Sequence, residues 1–216
     1  MHEANTDAPS RRRVAGQDPA KRAQILEGAK RCFLQMGFEA ASMSEISTES
    51  GVSKGTLYVY FKDKADLFAA LVDREKSAIM GTAQRELERP GAIRECLHRF
   101  GMTLMTSINS DYVIKAQRMV LAVADRMPEL AQRFYGGQAF IGNVILRDWL
   151  AARDKEGKLG IPDPAFAAQQ FLELAGATIY KQRLFANIGE PDAAHVARVV
   201  TAAVDMFLSY YQPADA

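Results

Sequence analysis

The sequence predicts an all-α protein with an N-terminal three-helix bundle that contains a helix-turn-helix, followed by a larger C-terminal helical domain. Three observations predict this fold class. Apolar residues recur every three to four positions along most of the chain, which is the spacing of one helix face. No stretch shows the apolar-polar alternation that is typical of strands. Pro and Gly residues divide the pattern into lengths that suit single helices.

Charge is distributed unevenly along the 216 residues. The formal net charge is only +1, but ten Lys and Arg stand against six Asp and Glu between Arg11 and Lys64. Residues 65–216 carry seventeen basic and eighteen acidic side chains. Concentrated positive charge attracts nucleic acid through counterion release and direct contact, although such side chains also commonly solvate helix faces. The imbalance favours the N-terminal part as the part that meets a polyanion.

Residues 1–17 are expected to form a disordered basic arm. They are polar and include the triplet Arg11-Arg12-Arg13, and they cannot bury enough apolar area to offset the entropy of ordering. Two roles stay open for this arm, contact with phosphates or a minor groove and simple solubilisation. The chain also has no apolar signal segment and no run of about eighteen apolar residues. We therefore expect a cytoplasmic protein without a membrane partner.

The first helix is expected to begin at Asp18-Pro19 and to end at Met36, before Gly37. Asp18 suits the N-cap, and proline is well accommodated at the first helical position. Five apolar residues share one face of this helix at helical spacing: Ile25, Ala29, Cys32, Phe33 and Met36. The helix is therefore expected to pack on the next two as the third member of the bundle.

The next two helices are expected to be short and joined by a tight turn. Ser42 and Glu45 form a capping-box pattern that starts the first of them. Gly51 suits the left-handed conformation that ends many helices, and Ser53 can cap the second. Four apolar residues are available to face the supporting helix: Ile46, Val52, Leu57 and Phe61. The remaining face is polar or amphipathic and carries Lys54, Thr56, Tyr58, Tyr60, Lys62 and Lys64.

After Lys64 the helical periodicity continues to the end of the chain. The next helix is expected to run to Pro90-Gly91 and to link the two parts of the protein. Further helices are expected at 92–109, 112–126, 128–155, 164–186 and 192–211. The helix at 128–155 is expected to kink at Gly136-Gly137.

The run from Gly51 to Phe68, Gly-Val-Ser-Lys-Gly-Thr-Leu-Tyr-Val-Tyr-Phe-Lys-Asp-Lys-Ala-Asp-Leu-Phe, resembles the DNA-binding signature of the TetR family of transcriptional regulators. The stretch from Arg118 to Leu130 resembles the C-terminal half of the AefR-like subgroup, although Val123 departs from the glutamate expected there. The resemblance implies a DNA-binding domain over 18–64 and an effector-binding and dimerisation domain over 65–216. It further implies a dimeric, ligand-responsive repressor that binds a near-palindromic double-stranded DNA operator and is released by a small, largely apolar effector.

The resemblance also implies which residues meet DNA. Bases or backbone are expected to contact Lys54, Gly55, Tyr58 and Tyr60, and phosphates to contact Ser42, Ser44, Thr56 and Lys64. Ser53, which caps the same helix, is also expected to belong to the DNA-binding surface. Each assignment has a physical basis, because Gly55 lets the backbone approach DNA closely and Tyr58 offers a hydroxyl on a rigid ring. The alternative for Tyr60 is a half-buried position beside Phe61.

In this family the region between the linking helix and the last two helices encloses the effector. The candidate pocket residues are Met102, Met105, Gln117, Arg118, Leu121, Phe134, Phe140, Ile145 and Trp149. Met adapts to varied shapes and Trp supplies a flat wall, while Gln117 and Arg118 are candidate polar anchors. The alternative is that these residues form ordinary core.

The last two helices are expected to form the dimer interface. Their apolar stripes could face either the body of the same subunit or another subunit, and the resemblance implies a four-helix interface with a second copy. The candidate interface residues are Phe171, Ala175, Ile179, Val200, Val204, Phe207 and Leu208. Two-fold symmetry would set two recognition helices about 34–36 Å apart, or a multiple of that distance.

Two other functions are alternatives to a ligand-responsive repressor. An all-helical enzyme or carrier of a lipophilic small molecule would not need the polar face at residues 53–64. His2, His98 and His195 show no metal-ligand spacing, and the chain has no phosphate-binding loop or nucleophile elbow. We therefore expect no enzymatic activity, no cofactor and no metal site. A constitutive DNA-binding protein without effector control is the third possibility.

Overall fold

The computed structural model describes residues 16–135, 141–186 and 188–213. Over these residues it consists of eleven α-helices and contains no strand, which confirms the predicted fold class. The helices are α1 (Pro19–Ala40), α2 (Met43–Ser50), α3 (Lys54–Tyr60), α4 (Lys64–Glu88), α5 (Ile93–Ile108), α6 (Asp111–Val123), α7 (Pro128–Tyr135), α8 (Ile141–Lys155), α9 (Pro164–Ala175), α10 (Tyr180–Ala186) and α11 (Ala193–Tyr210). The predicted arm lies outside the described residues except for Gly16 and Gln17.

The chain divides into two compact units, one up to Leu71 and one from Val72 onwards. Helix α4 begins in the first unit and ends in the second. The predicted functional boundary after Lys64 stays a prediction. Among the described helices, none combines the length and the apolar content that crossing a lipid bilayer requires.

The first unit is a bundle of α1, α2, α3 and the first turns of α4. Asp18 caps α1 by accepting from the backbone N–H groups of Ala20 and Lys21. Three aromatic rings meet in the core, with the Phe68 centroid 5.0 Å from that of Phe33 and 5.1 Å from that of Phe38. Edge-to-face contacts of this kind add stability beyond the buried area.

Two details of α1 differ from the predictions. Gly37 has φ 78° and ψ 171°, so the regular helix stops there as predicted, but a further short turn carries α1 to Ala40. Met36, which was predicted to lie on the buried face, is 40% exposed. The break at Gly37 ends the regular winding directly after Met36, and Phe38 is buried instead.

The second unit buries its core between α5, α8, α9 and α11. Phe171 lies at the centre, with its ring centroid 6.3 Å from Phe100 on α5 and 5.5 Å from Phe207 on α11. Trp149 on α8 belongs to the same cluster. The predicted helices at 92–109 and 192–211 agree with α5 and α11.

Two long helices predicted in this unit are described as separate pieces. The helix predicted over 128–155 is present as α7 and α8, and the predicted kink at Gly136-Gly137 lies outside the described residues. The helix predicted over 164–186 ends at Ala175 and resumes at Tyr180 as α10. Thr178, between them, has φ 65°, a left-handed conformation that β-branched residues rarely adopt.

Long-range bonds hold α10 in its separate position. The hydroxyl of Tyr180 donates to Gln117 Oε1 of α6 at 2.9 Å. Arg183 is almost completely buried and donates from Nε to the Asn109 carbonyl at 3.1 Å and from Nη2 to Asp111 Oδ1 at 2.7 Å. These tertiary contacts override the helical preference of the local sequence.

We expect Asp111→Asn to lower the free energy of unfolding at neutral pH, because it removes the carboxylate that pairs with the buried Arg183 guanidinium. The hydrogen bond from Arg183 holds the pKa of Asp111 below its ordinary value. A depressed folded-state pKa stabilises the fold above the unfolded pKa of about 3.9, and this stabilisation is lost as the pH falls through the folded-state pKa.

Urea unfolding at a series of pH values checks this prediction. The difference between wild type and Asp111→Asn should be largest near neutral pH and should shrink below about pH 4. Asp148→Asn is the matched control, because Asp148 pairs with Arg147 at an exposed position on α8. A pH-independent difference for Asp111→Asn would contradict the role given to the charge.

Candidate DNA-binding site

The turn between α2 and α3 is held by a closed set of local hydrogen bonds. Ser42 Oγ accepts from the Glu45 N–H at 3.2 Å, and Glu45 Oε2 accepts from the Ser42 N–H at 2.8 Å, so the predicted capping box is present. Gly51 has φ 65° and ψ 34°, and its N–H bonds to carbonyls at the end of α2. Ser47 Oγ donates to the Val52 carbonyl at 2.6 Å. The angle at which α3 leaves α2 is therefore set by the backbone of the turn.

Helix α3 has a buried side and an exposed side, as predicted. Leu57 is completely buried and Phe61, its C-cap, is 2% exposed. Ser53 caps the helix by accepting from the Thr56 N–H at 3.1 Å. Tyr58 is 55% exposed. Because its inner side is anchored at both ends, α3 presents its outer side rigidly.

Most of the predicted DNA-contacting residues reach this outer surface. Six of them are exposed: Ser42, Ser44, Ser53, Lys54, Gly55 and Tyr58. Thr56, Tyr60 and Lys64 are partly buried. Among the residues that the structure describes, Lys54 has no ion-pair partner, whereas Lys64 is engaged within the fold. We call the exposed side of α2 and α3 the α3 face.

Tyr60 and Lys64 have roles within the bundle. The Tyr60 hydroxyl accepts from the Asp18 N–H at 3.3 Å, so it supports the start of α1. Lys64 Nζ donates to the carbonyls of Glu39 at 3.0 Å and Ala41 at 2.8 Å and lies 4.6 Å from the centre of the Phe38 ring. The ammonium thus stabilises the end of α1. A DNA contact by either residue stays a prediction.

One exposed residue of α3 was not included among the sequence predictions. Val59 follows Tyr58 on the outer side and is 52% exposed. The sequence signal that could have identified Val59 is an apolar side chain on the otherwise polar outer side of a short helix. Such a side chain can contact the methyl group of thymine in a major groove.

The predicted effector residues differ in how deeply they are buried. Met105 and Trp149 are buried in the core, while Met102 and Ile145 pack against it. Leu121 is 44% exposed. The side chains of Phe134 and Phe140 lie outside the described part of the structure.

The two candidate polar anchors also differ. Gln117 is 8% exposed and accepts from the Tyr180 hydroxyl, so it remains a suitable anchor. Arg118 instead donates to the carbonyls of Leu184 at 3.0 Å and Arg183 at 2.5 Å, and thereby caps the end of α10. The sequence could not indicate this engagement because α10 lies more than sixty residues away.

The predicted dimer residues are buried within their own subunit. Phe171, Ala175, Ile179, Val200, Val204 and Phe207 are at most 2% exposed, and Leu208 packs against the same core. Their stripes therefore face the body of the subunit, which was one of the two possibilities. Within the described part of this region, the exposed large apolar residues of α9 to α11 and of the loop between α10 and α11 are different ones: Phe166, Phe185, Ile188, Met206 and Tyr210.

Comparisons with known proteins agree with this geometry. Residues 25–71 match the family described as bacterial regulatory proteins, tetR family. Residues 95–213, more than half of the chain, match the family described as AefR-like transcriptional repressor, C-terminal domain. The chain belongs to the TetR family. This confirms both resemblances drawn from the sequence, and TetR-family proteins are transcriptional regulators rather than enzymes.

Among curated relatives, the transcriptional repressor AcnR of Corynebacterium glutamicum is 41% identical over 74 residues, which cover 34% of this chain and 39% of AcnR. The chain thus spans less than half the length of the curated relatives it matches. A solved TetR-family regulator from Mesorhizobium loti is 25% identical, with a TM-score of 0.79 over 89% of this chain and 97% of that one. The Flavonoid-responsive Regulator FrrA is 28% identical, with a TM-score of 0.74 over 91% of this chain and 100% of that one.

Proposed function

We propose that this TetR-family chain is a homodimeric transcriptional repressor that acts in the cytoplasm. It binds a near-palindromic DNA operator and releases it when a small, largely apolar effector binds. The observation that carries the proposal is the rigid presentation of Tyr58, 55% exposed on a helix whose inner side is anchored by Leu57 and Phe61. A helix presented in this way fits the major groove of B-DNA.

On the α3 face, Lys54 and Tyr58 contact base edges or backbone, and Val59 adds an apolar contact to a thymine methyl group. Four hydroxyl groups supply phosphate contacts that set the register: Ser42, Ser44, Ser53 and Thr56. Lys64 adds positive charge next to them, although its ammonium is bound to carbonyls of the bundle.

Gly55 is not required by the fold, which supports a role at the DNA surface. A Cβ atom at this position would come no closer than 3.8 Å, to Ser53 Oγ. Its φ does not lie in the left-handed region either. A glycine that neither packing nor backbone conformation demands is best explained by the close approach of an external backbone.

We expect Gly55→Ala to weaken operator binding while the protein stays at least as stable. Alanine favours a helix over glycine by about 0.5–1 kcal/mol. A methyl group in a tightly packed interface costs about 1–3 kcal/mol, which raises Kd roughly 5- to 150-fold. Urea unfolding measures the stability of the variant, and fluorescence anisotropy with operator DNA measures its Kd. Gly189→Ala is the control, because a Cβ there meets nothing within 4 Å, and an unchanged Kd for Gly55→Ala would contradict the close approach.

A second copy of the chain is the partner proposed for the exposed apolar residues of α10 and α11. Met206 is 53% exposed and Tyr210 is 77% exposed on α11, and Phe185 is 75% exposed on α10. Met206 and Tyr210 are one helical turn apart on α11, and exposed large apolar side chains of this kind are typical of a protein–protein interface. The dimer is therefore formed by these outward residues while the predicted stripes hold the subunit together.

The effector site is proposed in the second unit, around Met102, Ile145 and Trp149, with Gln117 as its polar anchor. FrrA, one of the solved relatives, is named as flavonoid-responsive, which supports an effector with an apolar body and a few polar groups. Binding of the effector weakens binding of the operator, and binding of the operator weakens binding of the effector by the same factor. A coupling free energy of about 1–3 kcal/mol changes operator affinity roughly 5- to 150-fold. Helix α4, which begins in one unit and ends in the other, is the proposed link.

Footprinting on the DNA that flanks the gene tests the proposal. We expect one protected region with approximate two-fold symmetry, and light scattering should give twice the mass of 23.8 kDa for the free protein. Operator release should then be screened with apolar small molecules, planar aromatic compounds among them. A strictly monomeric protein, or one that binds all DNA sequences equally, would contradict the proposal.

A further inference from the structure

The C-terminal end of α2 is held by side chains of α1. The last four carbonyls of a helix have no N–H partner within that helix. Gln24 Nε2 donates to the Ser50 carbonyl at 2.8 Å, and Arg31 Nη2 donates to the Glu49 carbonyl at 2.7 Å. The last two carbonyls of α2 thus each accept from a side chain of α1. We call Gln24 and Arg31 the α1 clamp.

A second contact fixes the orientation of each clamp residue. The ammonium of Lys21 donates to Gln24 Oε1 at 2.8 Å. Because an ammonium can only donate, this contact turns the NH₂ group of the Gln24 amide towards the Ser50 carbonyl. Arg31 Nε donates to Glu49 Oε1 at 2.6 Å while Nη2 reaches the carbonyl of the same residue. This two-point contact uses the planar fork of a guanidinium.

The α1 clamp and the glycine between its two members form one stripe on α1. Positions 24, 28 and 31 are separated by four and three residues, which places them on the same face of a helix. A Cβ atom at residue 28 would lie 2.4 Å from Ser50 Cα, so only a glycine lets α1 and α2 approach this closely. All three positions of the stripe therefore meet the end of α2.

The end of α2 determines the direction of α3 through a short path. Ser50 is followed by the left-handed Gly51, and Ser53, two residues further on, caps α3. The Val52 N–H donates to the Ser47 carbonyl of α2 at 3.2 Å, so the turn moves together with the end of α2. Helix α3 therefore follows any displacement of that end.

We propose that Gln24 and Arg31 are positioning residues for operator binding, an inference that rests on the proposed function. They hold α2 in the orientation that presents the α3 face, and they do so without touching DNA. Their contribution to stability is small, because the side chains of Arg31 and Glu49 are 51% and 38% exposed. Operator affinity is more sensitive to their loss, because α3 must fit the major groove in both subunits of the proposed dimer.

The size of the effect follows from the fraction of subunits in the binding orientation. If loss of one clamp residue leaves about a third of the subunits in that orientation, about a tenth of the dimers have both subunits correctly placed, and the apparent Kd rises about tenfold. The stability of each chain changes little, because a displaced α2 end keeps its contacts within the core.

Gln24→Met and Arg31→Met test the proposal, because methionine is also unbranched but has no hydrogen-bond donor. Fluorescence anisotropy with the footprinted operator measures Kd at a series of salt concentrations. We expect each variant to have an about tenfold higher Kd and an unchanged slope of log Kd against log salt concentration. Loss of a phosphate contact would instead make this slope shallower by about one for each contact. The urea midpoint of each variant should equal that of the wild type.

Amide hydrogen exchange measures the effect of the clamp without DNA. The Gly51 and Val52 N–H groups donate to carbonyls of α2. In both clamp variants we expect these two amides to exchange at least about threefold faster than in the wild type, because the turn opens more often. The amide of Phe171 in the second unit should exchange at its wild-type rate.

The matched controls carry the same substitutions outside the first unit. Gln84 donates to Glu88 within α4, and Arg147 pairs with Asp148 on α8. Gln84→Met and Arg147→Met should bind the operator with the Kd of the wild type. A tenfold loss in the controls as well would overturn the inference.

Other outcomes overturn the inference at defined points. A wild type that binds the operator, together with clamp variants of the same Kd or the same Gly51 and Val52 exchange rates, would overturn the inference alone. A shallower salt slope for Arg31→Met would show that Arg31 contacts phosphate directly, which contradicts a positioning role. A wild type that binds no DNA would overturn the proposed function and this inference with it. If one clamp variant does not fold, as judged by circular dichroism, the other decides.

Discussion

Tyr58→Ala should abolish most of the operator affinity while the protein keeps its fold and its oligomeric state. The side chain is 55% exposed on α3, and within the described residues its hydroxyl forms no hydrogen bond to the rest of the chain. Removal of an exposed side chain of this kind changes stability by no more than about 0.5 kcal/mol. A good base contact contributes about 1–3 kcal/mol, so we expect Kd to rise roughly 5- to 150-fold.

Fluorescence anisotropy with the footprinted operator measures this change. Tyr58→Phe separates the contribution of the hydroxyl from that of the ring, and a hydrogen bond to DNA predicts a loss for both variants. Met36→Ala is the control for an exposed apolar side chain of the same unit outside the α3 face, because Met36 is 40% exposed on α1. A well-folded Tyr58→Ala protein with wild-type Kd would rule out Tyr58 as a recognition residue.

The helix-turn-helix could be predicted in detail because its determinants are local. The capping box at Ser42 and Glu45, the left-handed Gly51 and the Ser53 cap each involve residues at most five positions apart in the chain. Side-chain chemistry of this kind acts at short range and is visible in the sequence. The inner and outer sides of α3 followed from the same pattern.

The second unit was harder to predict because its decisive contacts are distant in sequence. The break between α9 and α10 depends on Tyr180 reaching Gln117 and on Arg183 reaching Asn109 and Asp111, across more than sixty residues. Gly176 was the only local sign of a break, and a single glycine inside a helical pattern is a weak signal.

Apolar periodicity also cannot tell which partner a stripe faces. The stripes of Phe171 and Phe207 could face either the same subunit or a second one, and in the structure the two rings pack against each other within one subunit at 5.5 Å. Met206 and Tyr210, on the same helix as Phe207, are exposed instead. Which face of α11 is buried depends on where α5 packs against it. The sequence of α11 alone does not indicate the position of α5.

Gly28→Ala is expected to destabilise the first unit strongly, although alanine is the better helix former by about 1 kcal/mol. A Cβ atom at residue 28 would lie 2.4 Å from Ser50 Cα and 2.6 Å from Ser50 N. The obstacle is backbone rather than a flexible side chain, so no rotamer change relieves it. Overpacking of this kind costs about 1–3 kcal/mol or more, and this cost exceeds the gain in helix propensity.

The position of Ser50 also makes the clash relevant to DNA binding. Ser50 is the last residue of α2, its carbonyl accepts from Gln24 Nε2 at 2.8 Å, and its hydroxyl donates to the Ile46 carbonyl at 2.6 Å. Relief of the clash requires α2 to move away from α1, and such a movement displaces the Gly51 turn and the direction of α3. Gly28→Ala should therefore lose operator affinity even at temperatures where it stays folded.

Two spectroscopic signals distinguish destabilisation of the first unit from destabilisation of the second. Circular dichroism reports all helices, whereas fluorescence of Trp149, the single tryptophan, reports the second unit. In urea we expect Gly28→Ala to lower the midpoint seen by circular dichroism more than the midpoint seen by Trp149. Gly81→Ala on α4 is the matched control, because a Cβ there has its nearest neighbour at 3.6 Å and should raise stability by about 0.5–1 kcal/mol. Wild-type stability of Gly28→Ala would show that α1 and α2 do not approach at Ser50, and the orientation argued for α3 would then lose its support.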